Sequence, residues 1–307
     1  MEDKAVLVSV CVFAYNSAET VIETLDSVLK QTYPRLELIV SDDCSTDNTV
    51  ELCRKWLAEN GDRFEHTILL THELNGGVAK NINSCVEAAS GEWIKQIAGD
   101  DILLPDCVSH NMEYVLNNDN DGIVFSKIQL FRTGDDGKRE MMDYFMPNPR
   151  VIDCYSMTPE EQYSCLLRVC FTPAVSVFYN RSLALEYPYP EQYRYCEDWP
   201  QWLHLTKNGI RLKYFDAITA LYRVGNTLSH AHRSHFINSK YHQTMTAFFY
   251  AERFPALIGT DPQTARGQQK EFFLGEVAVV LLKNRRNIFT RAILFLFKML
   301  VGTRKIA

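Results

Sequence analysis

Residues 7–13 (LVSVCVF) form an unbroken apolar run, the pattern of a strand buried on both faces. Ala14-Tyr15-Asn16 ends it, and Asn16 with Glu19 three residues on predicts a capping box. Val21, Ile22, Leu25, Val28 and Leu29 then recur at helical spacing up to Pro34. Leu36–Val40 reads as a second strand running into Ser41-Asp42-Asp43-Cys44-Ser45-Thr46-Asp47. Val50, Cys53, Trp56 and Leu57 mark the helix after it. Thr67–Leu70 is a short third strand. Asn75-Gly76-Gly77 turns into a helix carrying Val78, Ile82, Cys85, Val86 and Ala89. Gly91 opens a fourth strand through Trp93-Ile94-Lys95-Gln96-Ile97. Strands alternating with helices in this way predict an α/β fold, with a parallel sheet joined by right-handed crossovers.

Beyond residue 101 the pattern is less regular. Pro105 suits a helix start, Ile123–Phe131 reads as a strand, and Gly134-Asp135-Asp136-Gly137 as a hairpin turn. Residues 140–175 are rich in Met, Tyr, Pro and Phe without a period, a loop fit to receive an acceptor. From about residue 236 the chain becomes amphipathic and helical. A polar stretch at 259–270, with Pro262 and Gly267, is expected before helices over 268–284 and 288–300. Phe289, Ile293, Leu296, Phe297 and Leu300 form an apolar stripe on the last helix.

Polar residues cluster after each strand: Tyr15 after the first, Asp42 and Asp43 after the second, Asp100 and Asp101 after the fourth. A doubly wound sheet binds its ligand at that edge. Two adjacent carboxylates repel unless a cation lies beside them, and Mg²⁺ or Mn²⁺ shared with a phosphate meets that need. A solvated surface turn is the plain alternative. Neither GxGxxG nor GxxxxGK[ST] is present, so a nucleotide here would be held by carboxylates and one metal rather than by a glycine-rich phosphate loop. A second acidic pair, Glu197-Asp198, precedes Trp199 and Trp202 at a predicted helix start, where capping is the ordinary role.

Charge changes the picture at the C-terminus. The net −6 is the sum of −13 over residues 1–276 and +7 beyond, where no Asp or Glu occurs. An acidic body argues against nucleic-acid binding, while a basic amphipathic helix suits an anionic membrane surface or packs on the body. Nine scattered cysteines without a CxxC pair suggest small buried hydrophobes in a reducing compartment. The chain opens without a signal peptide and has no apolar run long enough to span a bilayer, so a cytoplasmic location is expected.

The order VSVCVFAYN (8–16), SVLKQTYPRLELIVSDDCSTDNT (27–49), NGGVAKNIN (75–83) and SGEWIKQIAGDD (90–101) resembles the glycosyltransferase family 2 type with the GT-A fold. The resemblance implies that Tyr15 stacks near a base and that Asp43 accepts from a uracil or thymine ring. Asp100 and Asp101 match the metal-and-ribose motif, usually Asp-x-Asp-Asp, whose first Asp is Ala98 here. The Pro usual before Tyr-Asn is Ala14. Lys80 would neutralise a phosphate or lie solvated. Asp198 would be the base that takes the acceptor hydroxyl proton, with Glu197 positioning or capping. Leu221–His230 resembles the segment that closes over the diphosphate, with Arg223 on phosphate oxygens and His230 or His232 completing a Mn²⁺ shell. A zinc site from His230, His232 and His235 lacks a fourth ligand.

The expected fold is thus GT-A, a mainly parallel sheet flanked by helices. Residues 1–235 form the catalytic domain, with a nucleotide-sugar-binding half at 1–101 and an acceptor half at 102–235. Residues 236–307 form a helical extension. The expected activity is metal-dependent, inverting transfer from a UDP- or dTDP-sugar to a saccharide or lipid-linked saccharide in cell-surface polysaccharide synthesis. Residues 277–307 are expected to touch the inner face of the plasma membrane peripherally. A retaining transferase and a non-catalytic nucleotide-sugar-binding scaffold are the alternatives.

Overall fold

A computed structural model describes residues 5–118, 122–134, 136–225, 238–283 and 288–301. The first four strands are β1 (Val8–Ala14), β2 (Leu36–Asp42), β3 (Thr67–Thr71) and β4 (Trp93–Ala98), joined by helices α1 (Val21–Leu29), α2 (Thr49–Asn60) and α3 (Val78–Ala88). They pair in parallel in the order β3-β2-β1-β4. β1 is buried on both faces because helices cover both. Val8, Val10 and Val12 meet Val21, Leu25 and Val28 of α1 on one side, while on the other Cys11 lies beside Cys85 of α3.

The sheet continues without a break past residue 101, but its hand of pairing changes. β5 (Ile102–Leu103), β6 (Ile123–Thr133), β7 (Arg139–Met146), β8 (Phe178–Asn180) and β9 (Lys213–Arg223) extend it to β3-β2-β1-β4-β8-β6-β9-β5, with β7 on β6. β8 is antiparallel to β4 and β6, β5 is antiparallel to β9, and β6 runs parallel to β9. Helices α4 (Cys107–Asn117), α5 (Pro159–Leu166), α6 (Arg181–Glu186) and α7 (Asp198–Lys207) lie between these strands in sequence. The β6–β7 hairpin closes at Gly134 and Gly137, as the turn residues require. Residues 140–175 are more ordered than their composition suggests. They hold β7, a 3₁₀ stretch at Pro149–Ser156 and α5, whose Thr158 and Glu161 form a full capping box.

Two compact units emerge from the chain. One comprises Met1–Gln192 and Glu197–Val224, the other Tyr193–Cys196 and Gly225–Ala307. The second holds α8 (Ser239–Phe248), α9 (Phe254–Thr260), α10 (Pro262–Glu276) and α11 (Ile288–Val301), with π turns at Phe249–Arg253 and Val277–Leu281. Within that unit the Tyr193 hydroxyl donates to Glu252 (3.2 Å) and its ring abuts Phe248.

Two local expectations fail for identifiable reasons. The Asn16–Glu19 capping box does not form, since Thr20 precedes α1 and makes no side-chain cap bond. Asn16 instead takes a left-handed backbone (φ 50°), which Asn tolerates, and its Oδ1 accepts from the Thr46 N–H at 2.8 Å. The polar stretch at 259–270 is helical: Pro262 sits in the first turn of α10, Asp261 accepts from the Thr264 N–H, and the helix runs through Gly267. Polar composition there marks a solvated helix face, and Pro at the first turn starts a helix rather than breaking one.

Candidate active site

Register places the first acidic cluster. Ala14 pairs with Asp42 and Phe13 with Ala98, so Tyr15, Asp43 and Gly99-Asp100-Asp101 leave the sheet side by side. Tyr15 is well exposed there. The loops after β1 and β2 are cross-linked: the Asn16 N–H donates to Ser45 Oγ, Ser17 N–H to Thr49 Oγ1, and Ala18 N–H to Asp47.

Asp43 is buried, and each of its carboxylate oxygens accepts a backbone N–H, Oδ1 from Gly76 (2.6 Å) and Oδ2 from Gly77 (2.8 Å). It therefore fixes the turn into α3. Gly77 has φ +90°, a left-handed value that a side chain would strain. A carboxylate oxygen has a second lone pair, so these bonds leave Asp43 some capacity to accept from a base. Lys80 is exposed on the first turns of α3, with its stem lying over Gly76.

Asp100 and Asp101 differ sharply. Asp101 is only 1% exposed, and its Oδ1 accepts from the backbone N–H of Arg223 at 2.8 Å, joining β4 to the end of β9. The plain alternative of a solvated surface turn does not hold for this residue, because β9 and α1 cover it. Burial pushes the Asp101 carboxyl well up, and the neighbouring Asp100 adds to this. Below it, Lys95 is fully buried in β4 and donates to the carbonyls of Val175 and Val177. Burial pushes the Lys95 amine down, opposed by Cys107 and by Asp101. Asp100 is half-buried, and among the described residues no other residue's donor reaches its carboxylate. Burial raises its pKa, opposed by Arg223.

Arg223 does not stand free for a phosphate. Its Nε donates to the Asp100 carbonyl (2.7 Å), Nη1 to Thr133 and Nη2 to Glu23, and its guanidinium lies 4.5 Å from the Phe131 ring centre. Three of its five N–H groups are thereby engaged. His230 and His232 lie outside the described residues. Among those described, no group of three His, Cys, Asp or Glu is arranged to hold a metal. An unpartnered carboxylate beside a buried one still fits a hard cation that draws its other ligands from substrate oxygens and water.

The second acidic pair heads α7. Glu197 precedes the helix without a side-chain cap bond, so simple capping does not explain it. Burial, and then the adjacent Asp198, push its carboxyl up to about 8. Tyr189 connects this pair to β4. Gln96 Nε2 donates to the Tyr189 hydroxyl at 2.8 Å, and the charges of Glu197 and Asp198 bear on that same hydroxyl. Asn83 of α3 grips the Tyr189 backbone from both sides, donating to its carbonyl and accepting from its N–H. Gln96, Tyr189 and Asn83 escaped the sequence reading. Two polar residues, Lys95-Gln96, inside an otherwise apolar strand were the available signal.

In sequence, the chain is 26% identical over 221 residues to an Escherichia coli UDP-Glc:α-D-GlcNAc-diphosphoundecaprenol β-1,3-glucosyltransferase, WfaP, covering 71% of this chain and 77% of the relative. A second such E. coli enzyme, WfgD, is 28% identical over 203 residues, covering 66% and 71%. In structure, the chain resembles the mannosyltransferase PcManGT of Pyrobaculum calidifontis in complex with GDP-Man and Mn²⁺, with TM-score 0.58, 18% identity, and coverage of 98% and 81%. It also resembles Staphylococcus aureus TarS 1-349 in complex with UDP-GlcNAc, with TM-score 0.56, 20% identity, and coverage of 88% and 72%. The fold is GT-A. The model of "Glycosyl transferase family 2" matches residues 9–182, more than half of the chain, and the protein belongs to that family of enzymes.

Proposed function

We propose that this glycosyltransferase moves a sugar from a UDP- or dTDP-sugar to a hydroxyl of a lipid-linked saccharide, by single displacement with inversion. The observation that carries this reading is the pair of acidic clusters joined through β4, Asp100-Asp101 at its end and Glu197-Asp198 reached through Gln96 and Tyr189. One serves the donor and the other the acceptor. The WfaP and WfgD names give a UDP-sugar donor and a diphosphoundecaprenol-linked acceptor for those relatives, which supports the same classes here.

Roles follow from the local chemistry. Tyr15 and Asp43 flank the base, and Lys80 lies near the phosphates. Asp100, with Asp101 beside it, would hold Mg²⁺ or Mn²⁺. A bound cation would supply Lewis-acid stabilisation of the leaving diphosphate. Glu197, raised to about 8, keeps its proton at neutral pH and is then a hydrogen-bond donor. Asp198 is left to take the proton of the attacking hydroxyl. Among the described residues no Ser, Cys or Lys constellation offers a protein nucleophile, which favours one displacement.

A membrane-bound acceptor gives the C-terminus a purpose. On α11 the side chains of Phe289, Ile293, Phe295 and Leu296 are exposed, Phe289 by 77%, in the stretch that carries seven basic and no acidic residues. Among the described residues no helix is long and apolar enough to cross a membrane. Docking on the anionic inner leaflet by apolar contact and charge accounts for both observations, each basic group near the surface adding about 1 kcal/mol.

The test is a screen of nucleotide sugars with and without Mn²⁺, read by calorimetry and by NMR of the product anomer. Binding of UDP or dTDP that is strengthened by the cation, with an inverted product, is expected. Equal affinity in excess chelator would remove the cation, and a retained anomer would remove single displacement. Cosedimentation with anionic vesicles that is lost as salt rises is expected of the whole chain, and its absence would end the membrane reading.

A further inference from the structure

Three successive carbonyls of the acidic turn after β4 are held, two by the start of α1 and its cap and one by Arg223 at the end of β9. Thr20 Oγ1 donates to the Gly99 carbonyl (2.8 Å), and Thr24 Oγ1 donates to the Asp101 carbonyl (2.8 Å). The carbonyl between them, that of Asp100, accepts from Arg223 Nε. Arg223 in turn is held by Glu23, which stands between the two threonines on the same helix. Glu23 receives two guanidiniums, Arg223 on Oε2 and Arg139 on Oε1, and both lie against the Phe131 ring. Burial pushes the Glu23 carboxyl up, but the two arginines outweigh it and hold it below the ordinary range, so the group is an anion at neutral pH.

The Arg223 main chain completes the arrangement by donating to the Asp101 carboxylate. Every backbone carbonyl of Gly99-Asp100-Asp101 is thus fixed, and so is one of the two carboxylates. The Asp100 carboxylate is the group left to meet a ligand. A turn held so completely costs the ligand little reorganisation, and displacement of a reacting group by about 1 Å is worth roughly 10²-fold in rate.

We infer that Glu23 is a positioning residue. It anchors Arg223, and through Arg223 it holds the Asp100 backbone in the place where the donor diphosphate binds. Arg139 is the outer partner of the same carboxylate and is not required for that placement. This inference rests on the donor reading of the Asp100-Asp101 turn given above.

The experiment measures UDP affinity by calorimetry in Mn²⁺, the transfer constants, and the melting temperature, for the whole chain. Glu23→Gln keeps the side chain's size and removes its charge. It is expected to weaken UDP binding and lower kcat by about tenfold each, with acceptor KM unchanged, at temperatures where the protein is fully folded. Arg223→Lys should do the same. The double variant should be no worse than the worse single change, because the two residues act as one unit. Arg139→Gln should stay within about twofold of wild type. If Glu23→Gln unfolds, the Arg223→Lys and Arg139→Gln pair carries the test. A Glu23→Gln protein with a lower melting temperature but wild-type UDP affinity and kcat would overturn the inference while leaving the donor reading intact. Failure of the wild-type chain to bind UDP or dTDP would overturn both.

Discussion

Glu197 makes the fold sensitive to pH in a calculable direction. Its carboxyl rises from an ordinary 4.5 to about 8, driven by burial and then by Asp198. A carboxyl with a higher pKa folded than unfolded binds its proton more tightly in the fold. Its stabilising contribution is therefore complete below the unfolded value and is lost as pH climbs through the folded value. At about 1.4 kcal/mol per unit the full span is about 5 kcal/mol, of which about 2 kcal/mol disappears between pH 6 and pH 8. Glu197→Gln keeps the shape and cannot titrate. Urea denaturation of both proteins over that range should show wild type losing about 2 kcal/mol relative to the variant as pH rises. Asp198→Asn removes one of the two causes and should move the loss to lower pH. A pH-independent difference between wild type and Glu197→Gln would refute the reasoning, because it would mean that Glu197 titrates as a solvated carboxyl. Glu197 would then no longer be the protonated hydrogen-bond donor that its proposed role requires at neutral pH.

Three further outcomes are expected. Asp198→Asn should keep UDP affinity by calorimetry and lower kcat by roughly 10²-fold, the range for a lost general base; a silent Asp198→Asn beside a damaging Glu197→Gln would reverse their roles. Asp100→Asn should fold with nearly wild-type stability, since among the described residues no other residue's donor reaches its carboxylate, and should abolish the effect of Mn²⁺ on UDP binding. Asp101→Ala should cost about 3 kcal/mol in urea denaturation, because it strands the Arg223 N–H and leaves Lys95 without its acidic neighbour; a loss within about 0.5 kcal/mol would count against a buried role.

How much of this was legible in advance follows the range of the interactions involved. The alternation of strand and helix over residues 8–98 was readable because each element there is built from neighbours in sequence. The residues that line the sheet edge were readable for the same reason, since each ends a strand. The mixed pairing beyond residue 101 was not, because β8 enters between β4 and β6 from eighty residues downstream, and no local pattern announces a partner at that distance. The first turns of α10, before the helix expected from residue 268, were not read as helix because solvated helix faces and loops share a composition, and only the Asp261 cap and the Pro262 start tell them apart.

The same distinction separates Asp100 from Asp101. In the sequence they are two equal carboxylates at one turn. What makes them unequal is Arg223, more than a hundred residues later, whose main chain takes one carboxylate and whose side chain takes the backbone between them. Its own anchor, Glu23, lies two hundred residues before it on a helix whose periodicity advertised only its apolar face. The spacing Thr20, Glu23, Thr24 places three polar groups on one turn of helix, and that was a visible clue. It gained meaning only when the acidic turn was found lying against it. Motif reading located the acidic residues that gather at the sheet edge. The division of labour inside the motif is set by long-range hydrogen bonds, and those are written in the fold.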